Sequence, residues 1–329
     1  MNTSANYDVV GIGNAMVDVI APSSDTFLDQ MGIAKGAMQL IERDRAELLY
    51  AAMDSRVEAP GGSVANTIAG IGELGLRTAF IGKVKDDDLG KFYADSLRKV
   101  GTAFPLAPLD AELPTSRSMI FVSPDGERSM NTYLGAGADI SSFDVPDVFG
   151  TGLLFLEGYL FDKKEGKTAF FEAAAKMKAA GGSSVITISD PFCADRHRED
   201  FKRLIADDMD IAIGNDIEWM TLYETNDLND ALRQAAEVCD IVACTRSGDA
   251  VWIQQGAQRF IAEVTAVTPV DATGAGDQFA AGFLYGVSTG QRLDVAAQMG
   301  VLCAAEVITH IGPRPEINMA KVFSQHGLI

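Results

Sequence analysis

Basic residues are scarce in this chain. Against 46 Asp and Glu stand 27 Lys and Arg, a formal net charge of −19 over 329 residues. Nucleic acid and anionic membrane are bound through basic surface, so this balance argues against both as partners. Its plain service is solubility. Cysteine is scarce as well. Cys193, Cys239, Cys244 and Cys303 lack zinc-ligand spacing and are few for a disulfide scaffold, which fits a reducing compartment. The three histidines, His197, His310 and His326, show no metal-ligand spacing and receive no catalytic part. No stretch approaches the ~18 consecutive apolar residues of a membrane span. Met1 to Asp8 has no cationic region and no long apolar core of a secretion signal. A soluble cytoplasmic protein is expected.

What is present suits a large α/β domain. Tyr7–Gly13 and Thr78–Gly82 read as buried strands. Asp44–Ala52, Gly62–Leu74 and Asp88–Val100 read as helices between and after them. Later come strands at Leu153–Glu157, Val185–Ser189, Ile211–Asn215 and Ile241–Thr245, and a hairpin over Ala250–Glu263. Helices are expected at Lys163–Ala180, Asp216–Tyr223, Gly276–Ser288 and Leu293–Ile311. Alternating strand and helix predicts a doubly wound, mostly parallel sheet with helices on both faces. The rhythm breaks at Ser116–Leu134, where two strands flank the turn Pro124-Asp125-Gly126. Ile12–Ile20 and Ala37–Ile41 offer further strands for the same appendage. The reading is one domain, 1–329, with a small β lid drawn from about 14–41 and 115–134.

Chemistry is concentrated in Asp271-Ala272-Thr273-Gly274-Ala275-Gly276-Asp277. A Gly-rich turn runs into a small-residue helix. Gly274 and Gly276 leave backbone amides free to face an anion, and the helix adds its positive end. Asp277 falls in the first turn beside that anion. Phosphate next to a carboxylate suggests phosphoryl transfer, with the carboxylate taking a hydroxyl proton. A bare helix start with a dipole-matched Asp accounts for the same letters.

Other segments carry paired readings too. Asn14 and Asp18 follow the first strand, where α/β ligands bind; they either hold sugar hydroxyls or satisfy a turn. Gly61-Gly62-Ser63-Val64-Ala65-Asn66 either admits a ligand to its backbone or starts a helix with Ser63 as cap. Asn215 and Glu218 either organise water around Mg²⁺ or form a capping box. Thr245 and Gly248 either touch a nucleotide or make a tight turn. Gly11-Ile12-Gly13-Asn14-Ala15-Met16 lacks the third Gly of a dinucleotide fingerprint, and Gly166-Lys167-Thr168 has Phe161 where a P-loop needs Gly.

Taken in order, these segments resemble the ribokinase-like (PfkB) family of carbohydrate and nucleoside kinases. The resemblance runs from about Val9 to Pro313. It rests on Gly61–Asn66 with its helix, on Asp271–Asp277, and on Asn215–Glu218 as the family's N-x-x-E element. It implies a ribokinase-like fold with a β-sheet lid. Asp277 is then the general base, and the amides of Ala275, Gly276 and Asp277 the anion hole. Asp18, Gly62 and Asn66 hold the acceptor sugar. Asn215 and Glu218 serve Mg²⁺ and phosphates, and Thr245, Gly248 and Thr273 belong to the ATP site. Ala272 stands where the family usually has Thr, but its carbonyl remains, so K⁺ near Asp271 is admitted. Gly13–Asp18 is similar to the adenosine-kinase branch, where Asn and Asp read ribose. A purine nucleoside is the expected acceptor, with Met38, Phe121 and Tyr159 as candidates for the base slot. Glu157, near the acceptor in sugar kinases of the family, keeps a ribose, fructose or ketodeoxygluconate kinase open. A non-catalytic sensor on the same fold is a further alternative, and a dehydrogenase a distant fourth. Open lid sheets need covering, so a lid-mediated homodimer is expected from family habit.

Overall fold

The computed structural model describes residues 7–110, 112–145 and 152–329. The N-terminal stretch 1–6 lies outside them. The strands in chain order are β1 (Val9–Ile12), β2 (Met16–Pro22), β3 (Met38–Leu40), β4 (Val57–Gly61), β5 (Thr78–Ile81), β6 (Ser116–Val122) and β7 (Arg128–Tyr133). There follow β8 (Leu153–Glu157), β9 (Ser183–Thr187), β10 (Ile211–Asn215), β11 (Ile241–Arg246), β12 (Asp249–Gln255) and β13 (Gln258–Ala262). Eight of them form one sheet, ordered β13-β12-β11-β10-β9-β8-β1-β5. From β11 to β5 every pairing is parallel, and β12 and β13 add an antiparallel edge.

The main sheet is buried on both faces. In β1, Val9 joins the core on one side while Val10 and Ile12 join the core on the other. That is the period-two alternation of a strand, with both faces apolar because helices cover both. Parallel strands bring their carboxyl ends to one edge. Asn14 follows β1, Glu157 ends β8, Asn215 ends β10 and Thr245 lies near the end of β11. Ligands of open α/β sheets bind at this edge.

The second sheet runs β3-β7-β6-β2-β4. Its strand β4, Val-Glu-Ala-Pro-Gly, was not read from the sequence because Pro and Gly oppose strand. It occupies an edge, where Pro60 is tolerated opposite Val17. Parity decides which side chains face where. Val17, Val19, Ala21, Met119 and Phe121 pack in one core with Leu28, Ala46 and Leu49 of the helices Asp25–Gln30 and Arg43–Ala51. The chain's own helices thus cover this face of the lid sheet. Asp18, Ser118 and Thr132 share the opposite face, in register across β2, β6 and β7.

Several boundaries moved. The last long helix ends at Val307, not Ile311. The Ile308 carbonyl accepts from Val270 N at 2.7 Å, so the residues leading into the Gly loop take the bond that would extend the helix. The short helices Pro191–Arg196, Leu228–Ala236 and Met319–Gln325, and the helix Arg198–Asp208, were not anticipated. No helix among the described residues is long and apolar enough to cross a membrane.

Candidate active site

The helix Ala275–Ser288 begins at Gly274, which takes φ +80°. A Cβ there would lie 2.6 Å from the Pro313 Cα, so glycine is required twice over. Ala275 N donates to the Ala272 carbonyl at 3.2 Å. This corrects the expected anion hole, because a hydrogen-bonded amide is not free for a ligand. Gly276 and Asp277 keep the unpaired amides of a helix N-terminus. A Cβ on Gly276 would meet nothing within 4 Å, so the space beside these amides is open.

Asp277 is held from a distant part of the chain. Ser63 Oγ donates to its Oδ1 at 2.7 Å and Asn66 Nδ2 to its Oδ2 at 3.0 Å. Thr67 Oγ1 donates to its carbonyl at 2.9 Å. Burial pushes its carboxyl up to about 6, although the Ser63 and Asn66 bonds and Arg314 pull the other way. The result is a fixed carboxylate beside open amides, charged at neutral pH yet basic enough to accept a proton. Ser63 is not the helix cap. Gly62 takes that place with φ +90°, which frees the Ser63 hydroxyl for Asp277.

The expected acceptor residues divide. Asn14 is buried, and its backbone N and Nδ2 donate to Glu157 Oε1 at 3.2 and 2.6 Å. Val64 N donates to Glu157 Oε2 at 3.0 Å. Glu157 therefore ties β8 to the end of β1 and to the helix that carries Ser63 and Asn66. Burial raises its carboxyl to about 7. The Asp18 carboxylate accepts no hydrogen bond among the described residues, and burial raises it to about 7 too. Gly61 packs under it, since a Cβ would meet the Asp18 carboxylate at 2.7 Å. Gly62 brings its backbone against the Asn14 carbonyl, 2.3 Å from where a Cβ would stand.

Two base-slot candidates lie elsewhere. Phe121 is 1 % exposed and packs on Phe27 at 5.5 Å between ring centroids. One residue of parity puts it on the sheet face opposite Asp18. Tyr159 falls in the turn after β8, where its hydroxyl donates to the Ser189 carbonyl at 3.3 Å. Met38 does share the Asp18 face, in register with Met130, which pairs with Ile120 beside Ile20. The apolar strip on that face was missed, although alternation about Asp18 would have found it.

Two cavities meet at Asn215, Thr245 and Gly276. One, about 740 Å³, is lined by Gly248, Val251, Ala272, Phe279 and Ala304 among others. The other, about 100 Å³, lies between Ser63, Thr187, Glu218 and Asp277. Asn215 and Glu218 form a full capping box, with Glu218 N to Asn215 Oδ1 at 2.8 Å and Asn215 N to Glu218 Oε2 at 2.9 Å. Asn215 Nδ2 also donates to Glu218 Oε1 at 2.8 Å. Glu218 is buried, which raises it to about 7. Structural cap and cavity wall are the same residues. The atoms they can offer a metal are oxygens, Asn215 Oδ1 and the Glu218 carboxylate, each with lone pairs left beside the one hydrogen bond it accepts, and no three His, Cys, Asp or Glu cluster as a metal cage among the described residues. Such a set fits Mg²⁺, which keeps waters and relies on phosphate oxygens. Thr273 turns away from both cavities: its Oγ1 donates to Asp271 Oδ1 at 2.7 Å. Asp271 also receives Arg128 Nη1 from the lid on both oxygens at 2.8 Å, and Gly312 N at 3.3 Å.

Sequence pattern assigns neither Arg128 nor Arg314 a place in the site. Arg128 reaches the loop from β7. Arg314 stands between two prolines, in no motif, and its Nε donates to Asn66 Oδ1 at 3.3 Å.

Comparison with known proteins agrees with this architecture. A family model described as "pfkB family carbohydrate kinase" matches residues 9–319. The crystal structure of an adenosine kinase from Sinorhizobium meliloti is 45 % identical, covering 98 % of this chain and 100 % of that one, with a TM-score of 0.91. A probable sugar kinase protein from Rhizobium etli CFN 42 is 40 % identical over 98 % of this chain and 99 % of that one, also at 0.91. A fructokinase from Vibrio alginolyticus is 28 % identical over 72 % of this chain and 80 % of its own length.

Proposed function

Because the chain belongs to the pfkB family of carbohydrate kinases, we propose that it transfers the γ-phosphoryl group of ATP to the 5′-hydroxyl of a purine nucleoside, adenosine first. That it is a phosphotransferase with an alcohol acceptor follows from the family, and such kinases use ATP with a divalent metal, generally Mg²⁺. The nucleoside is our reading. One observation carries it: the lid face that bears Asp18 continues as the apolar strip Ile20, Ile120, Met130 and Met38. A carboxylate for ribose hydroxyls beside an apolar wall for a flat base suits a nucleoside better than a free sugar. The state of Glu157 supports it. The carboxylate that a sugar would seek is engaged by Asn14 and Val64 on both its oxygens.

In this reading the larger cavity takes the nucleotide and the smaller its phosphates. Mg²⁺, when bound near Asn215 and Glu218, offsets phosphate charge. Asp277 removes the proton of the 5′-hydroxyl as that oxygen bonds to the γ-phosphorus, and the bond from the γ-phosphorus to the β–γ bridging oxygen breaks, so that ADP leaves. The amides of Gly276 and Asp277 face the transferring group, where preorganised donors act most strongly. The small sheet closes as a lid over the acceptor and excludes water, and Arg128 ties it to the loop through Asp271. K⁺ would be held by loop carbonyls near Ala272, since the Asp271 carboxylate is already paired. A homodimer would use the lid edges β3 and β4, its outer face being covered.

The test is ADP release with Mg-ATP against adenosine, inosine, guanosine, ribose, fructose and ketodeoxygluconate, with K⁺ present or replaced by choline. Turnover confined to nucleosides is expected. Turnover only with free sugars would transfer the acceptor to the sugar class and leave the Asp277 chemistry standing.

A further inference from the structure

Arg314 lies in Gly312-Pro313-Arg314-Pro315, beyond the last long helix. Its segment is fastened to the Gly loop. Gly312 N donates to Asp271, and the Pro313 carbonyl accepts from Gln278 Nε2 at 2.9 Å, one residue past Asp277. The guanidinium is thereby fixed. Its Nη2 is sealed from solvent and has no protein partner among the described residues.

The contact that matters runs through Asn66. An amide side chain has one accepting and one donating end, and nothing intrinsic decides which way it points. Here both neighbours decide. Arg314 can only donate, and it meets Oδ1. Ionised Asp277 can only accept, and it meets Nδ2. A rotated amide would set its oxygen against the carboxylate and its NH₂ against the guanidinium. Charge follows the same line. Asp277 is faced by Ser63 and Asn66 from the helix Ser63–Glu73, by Asp18 from β2, by Glu157 from β8 and by Arg314. Arg314 is the cation in that set. Arg128 of the lid acts one step away, on Asp18 and Asp271.

We propose that Arg314 is a positioning residue for phosphoryl transfer: through Asn66 and through its own charge it keeps Asp277 aimed at the acceptor hydroxyl and ready to take its proton. This rests on the reading of Asp277 as the base.

The test compares wild type, Arg314→Lys and Arg314→Met, measuring kcat and KM for both substrates from about pH 5 to about pH 9, a span that brackets the base. The acceptor used is whichever the wild type phosphorylates. Loss of adenosine turnover in the wild type therefore bears on the nucleoside reading alone. In Arg314→Met the acid limb moves up by about one pH unit, a modest effect of removing a nearby charge. kcat then falls about tenfold more at acid pH than at alkaline pH. KM for ATP stays near wild type. Arg314→Lys keeps the charge, so its limb stays with the wild type even if its plateau is lower. Titration of the ¹³C-carboxyl signal of Asp277, assigned by its absence in Asp277→Asn, gives the same displacement without any acceptor, and serves if none is turned over. Loss that is uniform across pH, or an Asp277 titration unmoved in Arg314→Met, would overturn the proposal. Should Arg314→Met fail to fold, a displaced limb in Arg314→Lys overturns it, while an undisplaced limb with reduced kcat supports it.

Discussion

Ser63 Oγ donates a 2.7 Å hydrogen bond to Asp277 Oδ1, joining two segments 214 residues apart. With Asn66 on the other oxygen, both lobes of the carboxylate are fixed before any substrate arrives. Asp277→Asn removes the proton acceptor and little volume. kcat should fall by ~10²–10⁴, the usual size of a general-base effect, while acceptor affinity stays close to wild type. Steady-state kinetics with equilibrium binding checks this; turnover near wild type would remove Asp277 from the chemistry.

The raised carboxyl of Asp277 sets a pH dependence. It must be ionised to act, and burial holds it near 6. kcat/KM should therefore drop about tenfold per pH unit below that value. Stability moves in the opposite sense. In the unfolded chain the group titrates near 3.8, so between there and 6 the folded state holds the extra proton. Stability from this group falls as pH rises through that window. Relative to wild type, Asp277→Asn should gain on the order of 1–3 kcal/mol between pH ~4 and ~7. Urea unfolding at both ends of the window measures the difference; a difference independent of pH would contradict it.

Gly274 and Gly276 should separate fold from chemistry. A methyl on Gly274 meets Pro313 backbone at a positive φ. Gly274→Ala should cost about 1–3 kcal/mol of stability and lower activity with it. A methyl on Gly276 meets no protein atom. Gly276→Ala should melt close to wild type, yet lose activity because the methyl enters the space of the transferring phosphoryl group. Thermal melts beside kcat decide. Wild-type activity in Gly276→Ala would show that the open space is not used.

Lid parity gives a further contrast. Phe121 and Met130 lie on opposite faces of one sheet. Phe121→Ala should cost about 3–5 kcal/mol of stability as a large core truncation, with acceptor KM little changed. Met130→Ala should melt normally and raise acceptor KM about tenfold, the loss of part of one apolar contact. If the two variants exchange these effects, the base slot is misplaced.

Much of this was legible in the chain. The alternation of strands and helices follows from local hydrophobic period, and that period is a property of neighbouring residues. The Gly loop and Asn215–Glu218 are equally local: glycine tolerates the turn, and a carboxylate three residues after Asn caps a helix. Local pattern failed where a distant partner decides. Phe121 lies in a strand as expected, but period alone does not say which face meets the core. Arg128, on the same face of β7 as Met130, settles it through its bonds to Asp271 and Thr273 in the Gly loop. Ser63 looked like a helix cap because the cap is a local motif; the pull of Asp277 is not. Arg314 carries no motif at all, and only packing against Asn66 distinguishes it from a surface arginine.

The sequence alone determined an acidic α/β chain with a β appendage, a Gly loop entering a helix, and a carboxylate in that helix's first turn. These depend on backbone permission and side-chain period within a few residues. Tertiary structure decided which donors hold that carboxylate, which lid face looks at it, and that Glu157 is engaged by Asn14 while Asp18 stays open. Those are contacts between residues tens to hundreds of positions apart. Burial at such contacts, absent from any single segment, is what raises Asp18, Glu157 and Asp277 toward neutrality.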